Sequence, residues 1–171
     1  MKIRSGFVSN SSSSSFLVAF SKVPASKEEL KTLLFGDKQN FPSPYERRVW
    51  ATDKVAETVW EDLKELKPLT SAQLVTKLAE GTLTGKYESE SRTSWDKYMD
   101  AKTPEAREKA WNAIQDATVK RASEVAAEFS SENAGAKFFE FHYSDNDGSY
   151  GTDLEHGDLF SNLPHIRVSH H

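Results

Sequence analysis

The stretch Ser11-Ser12-Ser13-Ser14-Ser15-Phe16-Leu17-Val18-Ala19-Phe20 joins a run of serines directly to the longest uninterrupted apolar run of the chain. In an extended chain Phe16, Val18 and Phe20 point one way and Leu17 and Ala19 the other. Residues 16–20 therefore read as a strand buried on both faces. A serine run normally marks a flexible linker. This one lies between the apolar patch Gly6-Phe7-Val8 and a core strand, so it is expected to feed into the core rather than form a free tail.

Helices follow. Ser26-Lys27-Glu28-Glu29 is a capping box, Leu30, Leu33 and Leu34 form a stripe behind it, and Gly36 closes the helix, which predicts a helix over 27–35. Thr52 is placed to cap a second helix running to about Leu66, with Val55, Val59, Trp60 and Leu63 at helical spacing and Pro68 beyond its end. Thr70 with Gln73 is another capping box, heading a helix that stops at Gly81. Residues 82–102 are polar and aperiodic and read as an irregular segment. Thr103-Pro104 starts the longest helix, whose apolar face runs through Trp111, Ile114, Ala122, Val125 and Phe129 to Asn133. Phe138 to Tyr143 reads as a strand, Asp147-Gly148 as a hairpin turn and His165 to Ser169 as a last strand. Trp60 and Trp111 are expected in the core.

This order predicts one α+β domain spanning 1–171. A small, mostly antiparallel sheet, made of the N-terminal strand and the C-terminal strands, would be covered on one face by three to four helices. Residues 1–15 form a Ser-rich segment and 137–171 the β end.

That β end is chemically distinct. The chain has 22 basic and 26 acidic residues, a net charge of −4, five His and no Cys in 171 residues. Residues 137–171 contain only Lys137 and Arg167 against six acidic residues, and they hold all five His. The rest, with 20 basic and 20 acidic groups, is neutral. Absence of Cys excludes disulfides, thiolate metal sites and a cysteine nucleophile. No apolar run suffices for a membrane span or a signal peptide, so secretion through a signal peptide is not expected. The slightly acidic balance disfavours nucleic acid as a partner.

Without thiolate, a Zn or Mn site would need imidazole and carboxylate. His142, Glu155, His156 and His165 are the candidate ligands, and an open position on such a metal could activate water for hydrolysis of a phosphoester. No HExxH or His-x-His spacing enforces their convergence, so ordinary strand histidines are the favoured reading and no cofactor is expected. An EF-hand fails: with Gly148 at loop position 6, Leu154 stands where the bidentate carboxylate belongs. The serine run could be an anion-binding nest, a glycosylation sequon at Asn10-Ser11-Ser12 or a phosphorylation site, but a polar connection bonding its own backbone is favoured. There is no Gly-x-Ser-x-Gly elbow. Tyr45, Arg47 and Trp50, with Trp95 and Tyr98, are aromatic and basic residues in polar surroundings. Such residues anchor protein interfaces or pack under long loops.

Met1 to Phe16, MKIRSGFVSNSSSSSF, resembles the N-terminus of a set of small proteins of large tailed bacteriophages and some bacteria that begin with an R-x-GFVSNSSSSSF-type signature. The resemblance covers about the first tenth of the chain. It implies a phage or phage-derived origin, and with it a location in the host-cell cytoplasm or the virion, and assigns no activity or site residue. Together with the absence of a strong catalytic motif, it leads to the expectation of a non-catalytic accessory protein that binds a host or phage protein. A metal-dependent phosphoester hydrolase is the alternative.

Overall fold

In the computed structural model, residues 12–88 and 92–170 are described, apart from the side chains of 92–95. The doubly apolar strand is β1 (Ser13–Phe20), and it begins three residues earlier than its apolar run. It lies inside an antiparallel sheet whose order is β4 (Thr82–Leu83), β6 (His165–Ser169), β1, β5 (Lys137–Ser144). Two neighbours complete its hydrogen bonding, so β1 exposes no edge. Phe16 stands opposite Phe141 and Arg167, Ser15 opposite His142 and Val168, and Ser14 opposite Tyr143 and Ser169.

Alternation then sorts the side chains. On one face Phe16, Val18 and Phe20 join Phe139, Phe141 and Tyr143 under α1 (Lys27–Phe35), α2 (Thr52–Glu65) and α6 (Gly148–His156). A hairpin of β2 (Asn40–Pro42) and β3 (Val49–Ala51) adds Phe41 to this core. On the other face Leu17, Ala19, Ile166 and Val168 meet α3 (Ser71–Ala79) and the second half of α5 (Pro104–Glu132). Fully burying each large apolar side chain contributes ~1.5–3 kcal/mol, so the two cores share the stabilising work.

The caps explain where helices start. Ser26 Oγ accepts from Glu29 N at 3.2 Å, while Glu29 turns back to the amide of Ala25 rather than to that of Ser26. Thr70 and Gln73 form the complete reciprocal box, and Thr103 Oγ1 accepts from Ala106 N ahead of Pro104. At α2 the Thr52 hydroxyl bonds Lys38 O, so Ala51 is the cap residue and has no side-chain bond to offer.

The fold is α+β as expected, with several corrections. Helices cover both sheet faces, and β1 separates the two C-terminal strands that the sequence suggested as a pair. Asp147-Gly148 is no hairpin turn. A 3-10 turn over Asp145–Asp147 leads through Gly148, at φ +70°, into α6, which carries Leu154 into the core. Residues 82–102 hold β4 and a helix, α4 (Arg92–Asp100). Trp111 is 42% exposed because the first ten residues of α5 precede its buried face, which starts at Ile114. Trp60 is half-buried against the first core. The Gly6-Phe7-Val8 patch and most of the sequon lie outside the described residues.

Candidate functional site

The N-terminal end of β1 places the last serines between the charged groups of the β end, with a separate cluster on each sheet face. On the α6 side, Ser12 Oγ donates to Glu155 Oε1 at 2.7 Å and Ser14 Oγ donates to the same oxygen at 3.1 Å. Glu155 is completely buried, held there by α6 as its neighbour Leu154 enters the core. Arg167, opposite Phe16, reaches in from β6: its Nε donates to Ser14 Oγ at 3.1 Å and its Nη2 to His156 Nδ1 at 3.1 Å.

The chemistry of these groups fixes every proton. A guanidinium only donates, so His156 Nδ1 accepts and its proton sits on Nε2. That Nε2–H, 3.2 Å from Ser12 Oγ, donates to a hydroxyl whose own hydrogen is committed to Glu155. The result is one directed chain, from Arg167 through His156 and Ser12 to Glu155. His156 therefore has no free base nitrogen toward Ser12, which excludes a serine–histidine nucleophile pair in this arrangement. Arg167 Nη2 and Glu155 Oε1 stand 3.9 Å apart, too far for a hydrogen bond, and Glu155 Oε2 has no hydrogen-bond partner among the described residues.

On the opposite face Ser15 Oγ donates to Glu140 Oε1 at 2.9 Å and faces His142 Nδ1 at 3.3 Å and His170 Nε2 at 3.1 Å. Glu140 pairs with Lys77 of α3 at 3.3 Å. These groups line a cleft of about 740 Å³ whose other wall includes Glu61, Asp62 and Glu65 of α2. Burial raises the carboxyl of Asp62 above its usual range, against the hydrogen bond it accepts from Tyr143 at 3.0 Å.

The sheet therefore divides the four metal candidates. His142 is on the Ser15 face, whereas Glu155, His156 and His165 are on the Phe16 face. His165 is turned to Phe16 and Phe160, with its Nδ1 on Leu163 O at 3.0 Å. Among the described residues no three His, Asp or Glu side chains are grouped so as to hold a metal.

The interface candidates also separate. Trp50 is half-buried, and its indole Nε1 donates to Asp153 Oδ2 at 2.7 Å. Ser43 Oγ donates to the other oxygen, Oδ1, at 2.5 Å, so buried Asp153 clasps the β2–β3 hairpin onto α6. Tyr45 is 65% exposed with its ring edge-on to His156, and Arg47 is exposed. Tyr98 is half-buried on α4, where its ring meets Trp111 of α5 at 6.0 Å. Trp95 belongs to α4, and its side chain lies outside the described residues.

The sequence reading took Ser12 and Ser14 only as part of the serine run, Asp153 only as one of the acidic residues of the β end, and gave Arg167 no role. The signal for Arg167 was present: it alternates with Ile166 and Val168, which puts it on the face shared by Phe16 and opposite those two core residues. No described helix is long and apolar enough to cross a membrane. Compared with known proteins, the chain matches no family model, no curated protein and no solved structure.

Proposed function

We propose that the protein is a non-catalytic accessory module of phage type that binds a host or phage protein through the α4–α5 hairpin. One observation carries this reading: α4 and the start of α5 carry large apolar side chains that stand partly open to solvent. Met99 is 74% exposed and Trp111 42%, with half-buried Tyr98 between the two helices. Large exposed aromatic and Met side chains are the types that supply interface energy. Nearby charges alternate in sign, Glu105, Arg107, Glu108 and Lys109, which suits a partner with an apolar groove and no strong net charge. Tyr45 and Arg47 on the β2–β3 hairpin offer a second contact point. A metal-dependent hydrolase is the weaker reading, because His142 faces away from the other three candidate ligands.

The test is quantitative pull-down from host and infected-cell lysates with wild-type protein and a Met99→Ser/Trp111→Ser double variant. A specific protein retained by the wild type and depleted at least ~10-fold with the variant, the loss of one hot-spot contribution, supports the reading. Equal recovery with both, or no specific recovery with either, refutes it.

A further inference from the structure

We propose that Arg167, beside His165, forms a binding site for a small tetrahedral oxyanion, the chemistry of inorganic phosphate or of a small phosphomonoester. The argument starts from the donors that Arg167 has left. A guanidinium offers five N–H groups. Among the described residues Arg167 uses its Nε on Ser14 and one Nη2 hydrogen on His156, both neutral acceptors, while its nearest carboxylate, Glu155, stays at 3.9 Å. The cation is thus held in a fixed pose by neutral groups, over the Phe16 ring at 5.8 Å, without the bidentate anion that its geometry favours.

The same side chain lines a cavity of about 110 Å³ together with His156 and His165. That is the liquid volume of about four waters, room for a five-atom oxyanion. His165 commits Nδ1–H to Leu163 O, which leaves Nε2 a lone pair without a partner among the described residues, an acceptor for the P–OH of a monoprotonated phosphate. Two carboxylates oppose an anion here: exposed Asp158, which lines the same cavity, and buried Glu155, 3.9 Å from Arg167 Nη2. A larger groove of about 570 Å³ is also lined by Arg167 and His165, so a phosphomonoester could place its phosphate in the cavity and its organic part in the groove.

Thermal unfolding of the full chain, titrated with inorganic phosphate and with glycerol 3-phosphate against sodium chloride at equal ionic strength, reads the site by linkage. Expected is stabilisation by phosphate beyond that of chloride. His165→Ala should weaken apparent affinity about three-fold and Asp158→Asn should strengthen it about three-fold, as removal of one partly screened contact or charge predicts. Arg167→Ala should abolish it; if that variant does not fold, the two other variants decide. Tighter binding of glycerol 3-phosphate than of phosphate assigns the groove to the ester, and equal binding assigns the site to the free anion. No stabilisation by either beyond chloride, or the same response in wild type, His165→Ala and Asp158→Asn, overturns the proposal.

Discussion

Replacing Trp50 with Phe removes one hydrogen bond from a buried carboxylate and little else. The indole N–H of Trp50 donates to Asp153 Oδ2 at 2.7 Å, and Asp153 is only 3% exposed. After substitution that oxygen keeps only the Arg48 guanidinium at 4.0 Å, beyond hydrogen-bond range. A hydrogen bond to a charged acceptor is worth ~1.5–3 kcal/mol, and losing part of the ring contact with Tyr150 adds ~0.5 kcal/mol. The expected cost is therefore ~2–3.5 kcal/mol. Because Trp50 clasps the hairpin onto α6, much of this loss should appear as local opening of residues 40–51. At ~1.4 kcal/mol per factor of ten, a 2 kcal/mol loss speeds exchange of hairpin amides roughly 30-fold if they exchange by that opening. Hydrogen exchange read by mass spectrometry, with urea unfolding alongside, measures both effects. A double-mutant cycle with Asp153→Ala should show strong coupling, since both changes remove the same bond. Unchanged protection over 40–51 together with an unchanged urea midpoint would refute the clasp and leave Trp50 to the interface role weighed against packing.

Three further outcomes follow from burial, backbone and charge. Trp111→Ser should cost under ~1 kcal/mol in urea unfolding because the start of α5 leaves the core, whereas Phe129→Ala on the same helix, 2% exposed, should cost ~3–5 kcal/mol. Gly151→Ala should destabilise clearly in the same assay, because a Cβ there would meet the Ser144 carbonyl oxygen and the Asp147 side chain where α6 closes on β5. Asp62 has a raised carboxyl, so over the interval between its unfolded and folded values the native state holds more protons than the unfolded chain. Its contribution to stability therefore falls as pH rises through that interval. Stability measured against pH should show Asp62→Asn gaining on wild type through the mildly acidic range, with a constant difference above it.

Much of the helical part was legible because helix ends are written locally. The serine and threonine caps at 26, 70 and 103 need only a partner three residues on, and their helices start where those residues stand. Strand pairing is not local. Residues 138–143 and 165–169 were recognisable as strands, but nothing within either says that β1 lies between them. Asp147-Gly148 misled for a related reason: Asp-Gly suits a hairpin, yet Gly148 uses its positive φ to enter a helix instead. Short elements such as β2, β3 and β4 carry too few residues for a period to show. The chemical end of the chain was identifiable from its His and carboxylates, but the serines that bind them stand more than a hundred residues away in sequence.

The central position of β1 also bears on how the chain acquires its structure. A strand made well before its partners must wait for residues 137–144 and 165–169 before either edge can be satisfied. Contacts that span well over a hundred residues close large loops and slow folding. Until then Phe16 to Phe20 is an apolar β-prone segment with both edges open, the kind that pairs with other chains. The helices between, capped by their own neighbours, can form much earlier. Assembly should therefore be late and all-or-none for the sheet, and most exposed to aggregation just before β6 arrives.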